Sequence, residues 1–255
     1  MLLDRSVKES SFIKTFEPAE KAEQAGYFEI SPLSNGQILW QDTQRGITLK
    51  AIHPNFRENI RALISGQPNR ASGLIVLESG DDILCCWPGD LEIRTVHKKL
   101  SGSSPFLMAG PHHGGPTDFP SRSVRKKAGK NAPQLRRDVL NAISGLSPER
   151  TFISVGTKNS HSHPRPGYIR LLAKEGAHVV CSQLTTCCDR LRIRNKSHVF
   201  QGEAALGLRA PRSGISCRGA IRFYLRNGAL VPDEFDDEHR KRIEKLLRPQ
   251  CLKWS

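Results

Sequence analysis

Trp87-Pro88-Gly89-Asp90 and Met108-Ala109-Gly110-Pro111-His112-His113-Gly114-Gly115 are the stretches that decide the fold. In each, a short apolar run stops at glycine and then presents polar side chains. Ile83 to Trp87 leads to Asp90, and Pro105 to Ala109 leads to His112 and His113. A third turn of this kind follows Thr151 to Val155 and carries Asn159, His161 and His163. Three strand ends offering Asp and His are what a metal site on the rim of a sheet requires, since open α/β sheets bind at such ends.

The neighbouring pattern supports a sheet. Gln37 to Gln41 and Ile47 to Ile52 read as strands, and Gly73 to Glu78 pairs with Ile83 to Trp87 through the turn Ser79-Gly80-Asp81-Asp82. Thr151 to Val155 and His178 to Ser182 are further strands. Helices are expected at Glu17 to Ala25, Pro54 to Ser65, Leu91 to Leu100, Pro133 to Ser144 and Tyr168 to Lys174. In the second of these, Phe56, Ile60, Leu63 and Ile64 share one face, and Gly66 is the stop. The order is α/β in character up to residue 182. Beyond it the composition changes. Arg190 to Ser197 is basic, Gly207 to Gly214 is loop-like and Gly219 to Leu225 reads as a strand. Asp233 to Leu247 reads as a charged helix carrying His239 and Ile243. Residues 1–182 are therefore expected to form the main domain and 183–255 a C-terminal appendage.

The chain has 255 residues, with 39 Lys and Arg against 25 Asp and Glu, a formal charge of +14. Such a balance favours a polyanionic partner such as nucleic acid, or simply a basic surface. The loop containing Arg122, Arg125, Lys126, Lys127 and Lys130 could hold a phosphate backbone or be a solvated basic loop; little aromatic interleaving supports base stacking. No apolar run approaches the roughly 18 residues of a membrane span, so no membrane partner is expected. The N-terminus lacks a signal-peptide core, so the expectation is a cytoplasmic protein whose seven cysteines are reduced thiols or metal ligands. Cys181, Cys188, Cys217 and Cys251 are candidates for a structural zinc site, the alternative being free thiols; their spacings are not compact pairs.

Each polar residue has two readings. Asp90 is either a carboxylate that bridges cations or a turn residue capping the helix at Leu91. Adjacent His112 and His113 cannot easily face one ion, so one ligates and the other meets substrate; the alternative is an exposed loop. Asn159 and His163 are the candidate catalytic pair, with His163 as ligand, phosphate-polarising group or acid, against a solvated turn.

Asn69-x-x-Ser72 leading to Gly89-Asp90, then Pro111-His112-His113-Gly114-Gly115, then Ser154-Val155-Gly156 with Asn159 and His163-Pro164, resembles the second half of a metallo-β-lactamase-fold hydrolase. The branch it looks most like is the hydrolase domain of the bacterial DNA-uptake channel proteins and their stand-alone relatives. The resemblance covers residues 47 to 182. It implies an αββα sandwich, a centre of two divalent metals such as Zn²⁺ or Mn²⁺, and hydrolysis of a phosphodiester by metal-activated hydroxide. Asp90 would be the bridging carboxylate, and His112, or else His113, a metal ligand. Asn69 stands where many relatives place a ligand His. His163 would be a substrate-side or acid residue.

One departure bears on activity. The fold's early His-x-His-x-Asp-His cluster is missing, and the only histidines before His112 are His53 and His97. The N-terminal part of the sandwich is likewise expected to be lacking, the chain starting late or forming a half that a partner subunit completes. The leading expectation is thus a metal-dependent hydrolase acting on nucleic acid or another phosphodiester, impaired as it stands. The alternative is a non-catalytic basic protein of that fold that binds nucleic acid or a partner. A third is a zinc-stabilised interaction module built on the C-terminal cysteines.

Overall fold

The structure is a computed structural model that describes residues 21, 23–26, 33–100, 103–119, 126, 128–157, 161, 163–189, 217–219, 221–232, 239, 241, 243–246 and 248–251. The chain divides into two compact units, Met1–Leu33 and Ser34–Ser255. In the first, the described residues form a helical turn within the expected Glu17 to Ala25 helix, where Ala25 N–H donates to the Lys21 carbonyl at 3.0 Å. All further elements belong to the second unit.

That unit is an α/β structure around a mixed seven-stranded sheet. Its elements in chain order are β1 (Ile38–Asp42), β2 (Ile47–His53), α1 (Phe56–Ile64), β3 (Leu74–Ser79), β4 (Asp82–Trp87), α2 (Ile93–Lys99), β5 (Leu107–Ala109), α3 (Ala132–Leu146), β6 (Arg150–Ile153), α4 (Pro166–Lys174) and β7 (His178–Cys181). A separate hairpin follows, β8 (Phe223–Arg226) and β9 (Ala229–Pro232). The strands lie side by side in chain order, β1 to β7. The first four pair antiparallel, whereas β4, β5, β6 and β7 run parallel. The change follows from the connections. Short turns join β1 to β2 and β3 to β4, while helices α2, α3 and α4 bridge the parallel strands. The parallel set sends four C-terminal ends to the same rim.

Alternation sorts the sheet's two faces. Leu74, Val76, Met108, Ile153 and Val179 are fully buried. They share a core with Ile93 and Val96 of α2, Val139, Ile143 and Leu146 of α3, and Tyr168, Ile169 and Leu172 of α4. Each such aliphatic side chain contributes about 1.5–3 kcal/mol by leaving water. Ile75, Leu77, Leu107 and Phe152, on the alternate positions, are only half-buried. Beside them, Phe223 of the β8–β9 hairpin meets Phe106 edge-on at 5.9 Å. The core also runs past residue 182, since Cys188, Cys217, Ile243, Leu246 and Cys251 belong to it.

The apolar face of α1 points outward: Phe56 is 77% and Ile64 81% exposed, and Ile60 and Leu63 are exposed too. Ala62 is the buried residue of that helix. The N-terminal fastening sets this rotation. Asn55 and Glu58 form a reciprocal capping box, with Glu58 N–H donating to Asn55 Oδ1 at 2.9 Å and Asn55 N–H to Glu58 Oε2 at 2.7 Å. Glu58 also pairs with Lys99 at 2.9 Å and with buried His53 at 3.0 Å. Glu58 and Ala62, one turn apart, therefore face the body, and the apolar stripe turns away.

Candidate active site

Asp90 is placed by a turn that only glycine fits comfortably. Gly89 has φ of 53°, and a Cβ there would run into the Ser72 hydroxyl. Ser72 Oγ accepts the Asp90 N–H at 2.8 Å, tying the lead-in of β3 to the end of β4. Asn69 sits just before it in the 3₁₀ turn Pro68–Ala71. Asp90 does not cap the following helix. Helix α2 begins at Ile93, and buried Asp118 does the capping: Ile93 N–H donates to Asp118 Oδ1 at 3.0 Å and Arg94 N–H to Oδ2 at 3.3 Å. Asp118 also accepts from Arg94 Nε at 3.0 Å. Asp90 is thus left free of structural duty at the helix start, its side chain about half exposed at the rim.

The turn after β5 is fastened to its neighbours at three points. His112 N–H donates to the Gly89 carbonyl at 2.8 Å, Gly110 N–H to the Phe152 carbonyl at 2.7 Å, and Arg165 N–H to the Gly114 carbonyl at 2.9 Å. His112 and His113 both take left-handed backbone angles, φ of 48° and 53°. Such angles are rare outside glycine and persist where the surroundings dictate them, as at functional sites. The consequence is divergence. His112 Nδ1 turns to Asp90 Oδ1 at 3.3 Å, while His113 Nδ1 reaches the Ser154 carbonyl at 2.7 Å. Of the two adjacent histidines, only His112 faces Asp90.

His163 arrives from beyond β6. Its ring lies edge-on to His112 with centroids 5.1 Å apart and stacks on His161 at 5.9 Å. Gly115 makes room for it, because a Cβ there would strike the His163 ring. Burial, then the neighbouring His112 and Arg165, push the His163 pKa down to about 4, so the imidazole is neutral at pH 7. The loop between β6 and His163 is held at its start: Val155 N–H donates to Ser182 Oγ and Thr157 N–H to Gln183 Oε1, each at 2.8 Å.

Asp90, His112, His161 and His163 therefore meet on one rim, at the ends of β4 and β5 and beyond β6. Asn159 lies outside the described residues, as do Arg122, Arg125 and Lys127 of the basic loop. Lys126 and Lys130 of that loop are exposed. Cys181, at the end of β7, and Cys188, Cys217 and Cys251, beyond it, are all buried and belong to the core. Two contacts here lie outside the sequence reading. Asp118 sits 25 residues from the helix it caps. His239 Nε2 lies 3.3 Å from Cys217 Sγ; a signal for it exists, since His239, Ile243 and Leu246 fall at i, i+4 and i+7.

The donor chemistry suits a borderline divalent ion between Asp90 and His112. Among the described residues, however, no group of three or more His, Cys, Asp or Glu side chains is arranged to enclose a metal ion. A two-metal centre does not fit these residues by themselves. No family model, no curated protein and no solved structure matches the chain.

Proposed function

We propose that this protein is a hydrolase of the metallo-β-lactamase-like class that engages a phosphodiester, with nucleic acid as the substrate class. The observation that carries the reading is the convergence of Asp90, His112 and His163 from three separate strand ends onto one rim. The parallel strands β4 to β7, joined by helices, bring the three turns to that rim. Under this reading, Asp90 and His112 would each offer one donor to zinc or manganese, and a partner subunit would have to complete the set. Such an ion would supply an activated water.

The chain's own residues have separable tasks. Asp90 supplies a partly exposed carboxylate, and the buried His112 Nδ1 lies 3.3 Å from its Oδ1. His163, neutral and buried, can accept a proton from water or hydrogen-bond a phosphate oxygen. Arg165, held by the Gly114 carbonyl, brings positive charge beside it.

A second reading is favoured by two observations: the net charge of +14 and the incomplete ligand set among the described residues. In it, the same rim binds a polyanion without cleaving it. One experiment separates them. Labelled DNA is incubated with the protein and added Mn²⁺ or Zn²⁺, wild type against Asp90→Asn. The hydrolase reading expects cleavage that falls at least tenfold in the variant. Salt-sensitive binding with no cleavage, unchanged in Asp90→Asn, would establish the second reading instead.

A further inference from the structure

A pocket of about 390 Å³ opens between helices α3 and α4, within the size range that holds small ligands. Its floor is apolar: Phe119, Leu140 and Leu171 are half-buried there. Phe119 is held in place. Its N–H donates to the Pro116 carbonyl at 2.9 Å, and its ring meets buried Tyr168 edge-on at 5.9 Å. Gly167 of α4 lets the ring lie close, since a Cβ there would come within 3.2 Å of it. The rest of the lining is cationic. Arg136 comes from α3, Arg170 and Lys174 from α4, and all three are exposed. Among the described residues, no acidic side chain lines the pocket, and none of these three side chains has an ion-pair or hydrogen-bond partner. None of Asp90, His112, His161 and His163 lines it.

Three cations around one apolar floor do not favour the fold by themselves. Arg170 and Lys174 are one turn apart on α4, where like charges repel, and Arg136 adds a third charge from α3. Elsewhere the chain pairs its cations: Lys50 with Glu78, Arg94 with Asp118 and Lys99 with Glu58. Asp118 and Asp138, close by in the chain, are engaged by Arg94 and Gln134. An anion relieves the repulsion, and an apolar body covers the floor. A carboxylate brings a single charge, whereas a phosphate monoester brings about −1.5 to −2 at pH 7 and three acceptor oxygens. The planar fork of a guanidinium matches two of those oxygens at once. We propose that this pocket binds a small organic phosphate. Its ring-sized apolar body lies on Phe119, Leu140 and Leu171, and its phosphate meets Arg136, Arg170 and Lys174. The site does not depend on the hydrolase reading of the rim.

The test titrates the full chain with 1-naphthyl phosphate by isothermal calorimetry, in EDTA so that no divalent ion reaches the rim and the ester stays intact. The expected result is binding at one site with a Kd below about 1 mM. 1-Naphthol and inorganic phosphate, each alone, are expected to bind about tenfold more weakly or worse, since each engages only part of the lining. Arg136→Gln and Arg170→Gln, both at exposed positions that the fold does not need, should each weaken binding roughly fivefold or more. Arg57→Gln, on α1, should leave it unchanged. Wild-type protein that does not bind the ester overturns the site, with no variant needed. Inorganic phosphate binding as tightly as the ester overturns it too, because the apolar floor would then contribute nothing. So does equal weakening in Arg57→Gln, which would reduce the effect to the net charge of +14. Binding that survives Arg170→Gln and disappears in His163→Gln would put the phosphate on the rim instead. Failure of DNA cleavage leaves this proposal untouched, because the titration is run without the metal that cleavage requires.

Discussion

At pH 7 the imidazole of His163 carries no charge, and that neutrality has a measurable consequence. Its folded pKa of about 4 lies below the ordinary value of 6.5. Between those values the unfolded chain takes up a proton that the folded chain refuses. The His163 contribution to stability is therefore whole above about pH 6.5 and is lost as pH falls toward 4. Denaturant midpoints measured across that window should drop in the wild type, and His163→Gln should flatten the slope. A slope that is unchanged in the variant would show that other groups carry it. Asp90, His112 and His163 were legible in the sequence because each polar residue follows a short apolar run, and sheet geometry delivers such residues to a rim. The divergence of His112 from His113 was legible in outline, since two adjacent side chains rarely face one ion. Which of them faces Asp90 was not, because it is set by left-handed backbone angles and by the Gly89 carbonyl.

Helix α2 depends on a residue that is no part of it. Asp118 satisfies the Ile93 and Arg94 amides and pairs with the Arg94 guanidinium. Asp118→Ala removes those partners together, and is expected to cost about 1–3 kcal/mol in equilibrium unfolding. Asp90→Ala, which removes no helix cap, is expected to cost well under half as much. Sequence patterns show an N-cap when the capping group is local, as at Asn55 with Glu58. They are silent when it comes from 25 residues away. Helix α1 teaches the complementary lesson. Periodicity placed Phe56, Ile60, Leu63 and Ile64 on one stripe, and that is correct. It could not say which way the stripe would turn, because the Glu58 contacts with His53 and Lys99 decide the rotation.

For the molecule as a whole, a charge of +14 makes the proposed engagement of nucleic acid testable through salt. Binding to duplex DNA should weaken linearly with the logarithm of salt concentration, as released counterions require. Arg165→Ala, beside His163, should reduce that slope by about one if Arg165 contacts a phosphate; fluorescence anisotropy at several salt concentrations reads it directly. The α/β class and the strand-to-helix order were legible throughout residues 47 to 182, where hydrophobic periods and turn residues agree. The union of the C-terminal thiols with the same core was not, since those contacts join segments far apart in the chain. The order of the sheet also has a bearing on how the protein is made. Strands β1 to β7 lie in the order in which a ribosome releases them, so each new strand finds its neighbour already in place. Pairing only between consecutive strands keeps the separation as small as the helical crossovers allow and suits stepwise assembly during synthesis. Asp90 and His112 are then positioned before His163 has emerged, and the rim becomes complete only when the segment between β6 and α4 is laid against it.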